Sequence, residues 1–183
     1  ISCLVDVTNY INFDMCRPLH VFDADKIEGN IIIRHSKKGE KFLGLDDQEY
    51  ILDDDMIVIC DENKIISLAG ILGGKNSCCD HKTKNILIES AYFFPDSISS
   101  TGRKLNIQSD ARYRFERGID PESTKSGLNL ASKMITELCG GELCEIINDN
   151  TSIKQERSIQ ISSDFINKIL GTNLNSEVIK EKL

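Results

Sequence analysis

Short apolar runs alternate with polar turn residues between positions 20 and 90 of the chain. The runs are rich in β-branched side chains, which is typical of β-strands. The links between them are short and carry turn formers such as Lys38-Gly39 and Asp46-Asp47, so antiparallel pairing is favoured. This pattern predicts an α+β protein with a strand-rich, barrel-like core. The predicted strands are Asn30 to Arg34, Lys41 to Leu45, Glu49 to Leu52, Met56 to Cys60, Lys64 to Leu68 and Asn85 to Glu89.

Apolar residues at helical spacing predict helices that flank this core in the sequence. Leu4, Val7 and Ile11 predict a short helix over residues 4–15, although their β-branched neighbours leave a strand possible. A longer helix is predicted from Pro121 to Cys139, where Asp120 would cap the first turn. Its core-facing stripe comprises Leu128, Ala131, Met134, Ile135 and Leu138.

The pattern changes after residue 148, which predicts a domain boundary. Residues 1–148 form the first predicted domain, and the polar residues 149–157 read as a linker. In residues 158–183 we predict a strand at Ser158 to Ile161, then a helix capped by Ser162 that ends before Gly171. This segment is interpreted as the truncated start of a second, small domain.

Composition and charge exclude several classes of protein. The chain has 183 residues, of which 40% are hydrophobic, so it can bury a core. We expect a soluble protein, because the longest apolar stretches fall short of the ~18 residues that a membrane span requires. The net charge of -7 predicts that any RNA contact is local. One candidate lies in residues 102–118, where a solvated helix face is the alternative: Arg103, Lys104, Arg112, Arg114 and Arg117.

The cysteines indicate a reducing compartment and no metal site. There are seven of them, scattered without a CxxC pair, so reduced thiols in the cytoplasm are expected rather than a disulfide framework. Cys78, Cys79 and His81 could be considered for zinc. However, adjacent cysteines rarely bind one tetrahedral ion, and no second ligand pair follows at the required spacing.

Three segments carry polar residues or glycines that could form a site. The segment from Ala69 to Asn76 lacks the first glycine and the Ser or Thr of a phosphate loop, so no ATP site is predicted there. Gly70, Gly73 and Gly74 could expose backbone N–H groups to a ligand, or could serve tight packing or a bulge. Glu89 ends an apolar strand and precedes aromatic residues, where a carboxylate is costly to bury unless it is paired or meets a ligand.

His20, Thr8 and Asn9 are the remaining candidates. A lone histidine such as His20, at the entrance to a sheet, is more often structural than catalytic. Thr8 and Asn9 form a polar pair on the first predicted helix, and either could simply bond to nearby backbone. Considered singly, none of these residues decides the function.

Considered together, five segments closely resemble the editing module of the bacterial phenylalanyl-tRNA synthetase beta subunit. They occur in the same order as in that family, which makes the resemblance specific, and it covers residues 1 to about 148. The segments are LVDVTNY (4–10), RPLHVFD (17–23), LAGILGG (68–74), ILIESAYF (86–93) and RFERGIDP (114–121). Residues 158–183 resemble the start of the next domain of that subunit, a small winged-helix-like unit.

The resemblance implies a cleft that removes tyrosine wrongly attached to phenylalanine tRNA. Matched by motif, Thr8, Asn9 and His20 would line the cleft and orient water or the substrate amine, with His20 as a possible general base. The positions implied for the tyrosine side chain are Ala69 and Gly70 for its ring, Glu89 for its phenolic hydroxyl, and Ala91 to keep the pocket open. Tyr113 departs from the family pattern, in which several relatives carry histidine.

The resemblance also implies partners and cofactors for a larger enzyme. The partners would be the aminoacylated 3′ end of tRNA and the synthetase alpha subunit, and no membrane. ATP and magnesium would belong to the synthetic site, mainly on the alpha subunit, so no cofactor or metal is expected in this chain. Two alternatives stay open: a free-standing aminoacyl-tRNA deacylase, and a non-catalytic scaffold or tRNA-binding module of the synthetase.

Overall fold

The computed structural model describes residues 2–148 and 158–183. They divide into two compact units, residues 1–144 and 145–183. The predicted linker, residues 149–157, lies outside the described residues. The elements of the first unit, in chain order, are α1 (Cys3–Asp14), β1 (His20–Asp23), β2 (Ile32–His35), β3 (Lys41–Leu43), β4 (Glu49–Ile51), β5 (Ile57–Cys60), β6 (Ile65–Leu68), β7 (Leu72–Gly73), β8 (Ile86–Glu89), α2 (Pro95–Lys104), α3 (Asp110–Phe115) and α4 (Ser123–Cys139).

The strands pair antiparallel, as their short links predict. One sheet has the order β2-β5-β6-β7, while β1-β8 and β3-β4 are separate two-stranded sheets. The α+β class is confirmed, but in the described part of the chain the sheets do not close into a barrel. The reason is that only isolated bridges, Phe22 to Cys78 and Gly44 to Gly74, extend the pairing beyond the named strands.

The main core lies between these sheets and the helices that follow them. Phe22 of β1, Val58 of β5 and Leu68 of β6 are each at most 1% exposed. Phe93 and Phe115 pack edge to face with ring centroids 5.1 Å apart. Each large apolar side chain that is buried contributes about 1.5–3 kcal/mol, so this cluster holds the sheets together.

A second apolar cluster joins α1 to α4. Val7 and Ile11 of α1 pack with Ala131 and Ile135 of α4. The predicted helix 4–15 is therefore confirmed, and most of the predicted stripe of the long helix is buried or partly buried. Leu138 is an exception, being 64% exposed. It lies in the last turn of α4, three residues after the buried Ile135.

The start of α4 differs from the prediction. The helix begins at Ser123, two residues after Pro121, and Glu122 occupies the cap position. Asp120 instead stabilises the turn before the helix, because its carboxylate accepts a hydrogen bond of 3.0 Å from the Glu122 amide. At the other end Gly140 stops the helix with φ of 76°, as predicted.

Cys16, directly after α1, has φ of 52°, a left-handed conformation that costs an L-residue about 1–2 kcal/mol. Its side chain is exposed, so it contributes little packing. We expect Cys16→Gly to raise the free energy of unfolding by about 0.5–1 kcal/mol, after allowing for the extra freedom of glycine in the unfolded chain. Urea denaturation would measure the gain.

Cys144→Gly is the matched control, because Cys144 is also exposed but has no positive φ. Its stability should stay constant or fall. Equal effects of the two substitutions would contradict the strain at Cys16.

The second unit contains α5 (Ser163–Leu170) and α6 (Ser176–Lys182). As predicted, the Ser162 side chain caps α5, and Gly171 ends it with φ of 66°. The predicted strand at Ser158 to Ile161 is wrong, since these residues form no ladder, and a strand requires a partner. The winged-helix-like architecture of this unit stays a prediction. In neither described range is a helix long and apolar enough to cross a membrane.

Candidate functional site

His20 and Glu89 face each other at the end of the β1-β8 pair. They are the last partners in the register, followed inward by Val21 with Ile88 and Phe22 with Leu87. Side chains of directly opposed residues lie on the same face, with Cβ atoms roughly 5 Å apart. The structure thus brings together two of the predicted site residues, which are 69 positions apart in the sequence.

Strand alternation separates the two faces of this pair. Ile86 and Ile88 pack with the α1-α4 cluster on one face. Glu89 and His20 therefore lie on the opposite face, together with Phe22, which belongs to the main core. The site lies where the β1-β8 pair meets the rest of the first unit.

The His20 ring is held between Phe22 and Gly73. Its centroid lies 4.5 Å from that of Phe22 in an edge-on arrangement. A Cβ atom at Gly73 would come within 2.5 Å of the His20 Cε1 atom, so the missing side chain makes room for the ring. The His20 Nε2 atom is buried and has no hydrogen-bond partner in the described chain. A ligand or water is the natural partner for it.

Burial moves the pKa values of this pair in opposite directions. Desolvation lowers the pKa of His20 from 6.5 to about 4 and raises the pKa of Glu89 from 4.5 to about 7. Near neutral pH the imidazole is therefore uncharged, and the carboxyl group is present in both forms. Both residues as a whole are partly exposed, although the His20 Nε2 atom is buried.

Ala69 belongs to the main core, and Gly70 packs against side chains of that core. Ala69 is 1% exposed. Gly70 has φ of 66°, and a Cβ atom there would lie 2.7 Å from the Cδ2 atom of Phe93. A small residue is thus required at Gly70 for backbone conformation and packing. Gly73, which the sequence analysis named with Gly70 for its backbone, is the glycine that lies against the His20 ring.

Thr8 and Asn9 lie on α1 and are not brought to the His20-Glu89 pair by any hydrogen bond. The buried Thr8 hydroxyl donates to the carbonyl of Val5 at 2.9 Å. The Asn9 side chain is exposed. Asn12, which the sequence analysis missed, is a buried polar residue of α1. Its Oδ1 atom has no hydrogen-bond partner in the described chain. Asn12 lies one turn after Thr8, on the same helix face.

Ala91 is held in place through its backbone. Its carbonyl accepts a hydrogen bond of 2.8 Å from Arg17 Nη1. Arg17 is fully buried, and its guanidinium also bonds to the Ser123 hydroxyl at 2.9 Å and to the Asp120 carbonyl. Arginine is rarely buried. Nothing in the sequence around Arg17, which directly precedes Pro18, predicts that it is buried.

The basic residues of the 102–118 stretch do not form one surface. Arg112 is buried, and its Nε atom donates to Glu116 at 3.0 Å. Arg117 lies over the Tyr113 ring at 3.7 Å, and Arg114 lies 5.0 Å from the centroid of Phe13. Arg112 is thus unavailable to phosphate, while an RNA contact by the other arginines stays a prediction.

Asp53, Asp54 and Asp55 form a group whose carboxylate oxygens lie within 4.8 Å of one another. The Lys104 ammonium lies 3.4 Å from Asp53 and 2.9 Å from Asp55. An internal cation therefore already compensates two of these carboxylates.

Comparisons with known proteins agree with one another. The B3/4 domain family matches residues 1–140. The phenylalanine–tRNA ligase beta subunit of Mesorhizobium japonicum is 52% identical over 145 residues, which are 79% of this chain and 18% of that protein. The same subunit of Bradyrhizobium diazoefficiens is 44% identical over 183 residues, or 100% of this chain and 23% of that protein. The chain thus spans about a fifth of the length of these relatives.

A solved structure shares the fold. It is an N-terminal fragment of the phenylalanyl-tRNA synthetase beta subunit from Pyrococcus horikoshii, with a TM-score of 0.51 and 18% identity. The match covers 97% of this chain and 53% of the other.

Proposed function

The chain belongs to the B3/4 domain family, and from this premise we propose that it is the proofreading part of a phenylalanyl-tRNA synthetase beta subunit. In this proposal it hydrolyses tyrosine that has been wrongly esterified to phenylalanine tRNA. The observation that carries the proposal is the pairing of His20 with Glu89 on one face of the β1-β8 pair. A desolvated acidic group beside an unpartnered imidazole suits a substrate that carries both a phenol and an ester.

Glu89 would select tyrosine. Tyrosine and phenylalanine differ by one hydroxyl, which a mostly apolar synthetic pocket rejects only about a hundredfold. A carboxylate that accepts the phenolic O–H gains a hydrogen bond worth about 1.5–3 kcal/mol, whereas phenylalanine would leave it desolvated and unpaired. Correctly charged tRNA is thereby spared.

His20 would act at the ester. An aminoacyl ester is already activated, so its hydrolysis requires mainly a positioned water and stabilisation of the developing oxyanion. The free Nε2 atom of His20 can accept a hydrogen bond from water or bond to the substrate amine. No covalent nucleophile is needed. The roles that the family resemblance implies for Ala69, Gly70 and Ala91 beside the tyrosine ring, and for Thr8 and Asn9 in the cleft, stay predictions.

The partners follow from the same proposal. The chain would meet the aminoacylated 3′ end of tRNA and work with the alpha subunit in the cytoplasm. ATP and magnesium would serve the synthetic site on that subunit.

Glu89→Ala in the complete two-subunit enzyme tests the selectivity. We expect the rate of tyrosine release from mischarged tRNA to fall roughly ten- to a hundredfold, because the lost hydrogen bond to a charged acceptor is worth about 1.5–3 kcal/mol. Release of phenylalanine should change little, so the preference for tyrosine collapses. Deacylation of tyrosyl- and phenylalanyl-tRNA, measured side by side, gives both rates.

Glu49→Ala is the matched control, since Glu49 is an exposed strand carboxylate that pairs with Lys41 at 2.7 Å. It should leave both rates unchanged. If the unmodified enzyme released no tyrosine at all, the scaffold interpretation would replace the proposal.

A further inference from the structure

Arg17 connects three segments of the first unit from a fully buried position. It precedes β1 by three residues and bonds to the carbonyl of Ala91, two residues after β8 ends at Glu89. Its guanidinium also bonds to the Ser123 hydroxyl and the Asp120 carbonyl, at the start of α4. One side chain therefore ties both strands, at the same end of the β1-β8 pair, to the start of α4.

These bonds lie where the backbone ladder stops. The last register pair is His20 with Glu89, and Pro18 lies just outside it. Proline has no N–H, so it cannot donate the ladder bond that would extend the pair outward. Strand ends without further bonds open easily. The bond from Arg17 to Ala91 closes the pair beyond this point.

A buried guanidinium is not the simplest way to fill this space. The groups that accept its hydrogen bonds are two carbonyls and a hydroxyl, all neutral. Burial lowers the pKa of Arg17, and the nearby charge of Asp120 only opposes that shift. Apolar side chains of similar volume often stabilise a fold as well as a buried ion does, so what the guanidinium adds is a defined geometry.

The space around Arg17 is shaped for this side chain. A Cβ atom at Gly127 of α4 would lie 2.6 Å from its Cγ atom, so the helix approaches the stem of the arginine closely. The Ser90 hydroxyl bonds to the Thr124 carbonyl at 2.7 Å and attaches the same segment to the same helix turn. The residues that follow Glu89 are thus held from two sides.

We propose that Arg17 is a positioning residue, which closes the end of the β1-β8 pair and so holds His20 and Glu89 at their facing distance. This rests on the proposed function, in which these two residues act on one substrate. Arg17 itself touches no substrate. Its loss would let the pair open and would admit water to the His20 ring.

Kinetics of the complete enzyme provide the first test. We expect Arg17→Met and Arg17→Lys to lower kcat for tyrosine release at least tenfold, with a smaller change in KM. For Arg17→Ala, added methylguanidinium should restore the rate severalfold by occupying the vacated space. Arg34→Met is the matched control, because Arg34 is a partly buried arginine that bonds to Glu40 in another sheet. It should keep its kcat and gain nothing from methylguanidinium.

The accessibility of His20 provides a second test that does not depend on hydrolysis. Diethyl pyrocarbonate modifies neutral imidazole. Peptide mass spectrometry would measure the rate of this modification at His20 relative to the exposed His35. We expect the modification rate at His20 to rise severalfold in the Arg17 variants. In Arg17→Ala, methylguanidinium should lower it again.

The outcomes separate the two proposals. If folded Arg17→Lys enzyme kept both its kcat and its His20 modification rate, the positioning role would be overturned. The positioning role would also be overturned if activity fell while the modification rate of His20 stayed constant and methylguanidinium gave no rescue. That result would indicate general destabilisation. If modification of His20 accelerated while no form of the enzyme, wild type included, released tyrosine, the positioning role would stand and the proposed function would fail.

Discussion

His20→Ala should lower the rate of tyrosine release by about a hundredfold, the lower end of the range for a residue that assists proton transfer. The Nε2 atom lies buried without a partner beside Glu89, so it is the free polar atom best placed to hold water at the ester. His35→Ala is the control, since His35 is exposed on β2. Single-turnover deacylation of tyrosyl-tRNA measures the effect, and an unchanged rate would remove His20 from the mechanism.

The low pKa of His20 also predicts how it acts. A base whose pKa is about 4 takes up a proton weakly at neutral pH, so positioning water by a hydrogen bond is the favoured role. His20→Gln should therefore keep roughly ten times more activity than His20→Ala, because an amide can still accept the hydrogen bond. Equal losses in the two variants would instead indicate a general base.

Glu89→Gln should stabilise the protein in mild alkali. The folded-state pKa of Glu89 is raised to about 7, so its contribution to stability is fully present below its ordinary pKa of 4.5 and is lost as the pH rises through 7. Above pH 7 the fold must hold a desolvated carboxylate. We expect glutamine to recover about 2 kcal/mol at pH 8, a figure reduced from the full shift because the group is partly exposed. At pH 4.5 the two proteins should be nearly equal.

Urea unfolding at the two pH values would measure this difference. The lowered pKa of His20 destabilises both proteins as the pH falls from its ordinary value of 6.5 toward 4, and it cancels in the comparison. Glu49→Gln, at an exposed strand position, should show no such pH dependence. A constant difference between wild type and Glu89→Gln would show that Glu89 ionises as it would in water.

The desolvated carboxyl group of Glu89 links the proposed selectivity to the stability of the fold. In the proposed function, the desolvation that lets Glu89 select tyrosine would also lower the stability of the free protein near neutral pH. Binding of the phenol would offset that cost by supplying the missing hydrogen bond to the ionised form.

Elements with strong local signals could be predicted from the sequence. α1 and most of α4 carry apolar residues at helical spacing, and α5 has its serine cap and its glycine stop. α2 and α3 were missed, because α2 is mostly polar and α3 has only six residues. The run Ser158 to Ile161 looked like a strand but has no partner to complete a ladder.

The sequence by itself determined the strand-rich α+β class and, through five ordered motifs, the family. It also predicted His20 and Glu89 as the two central residues of the candidate site. Local spacing and turn chemistry act over a few residues and can be read directly. Only the tertiary structure decided that His20 and Glu89 are register partners, that Gly73 rather than Gly70 contacts the histidine, and that Arg17 is buried. These facts depend on contacts between segments far apart in the chain, and burial, pKa and pairing follow from those contacts.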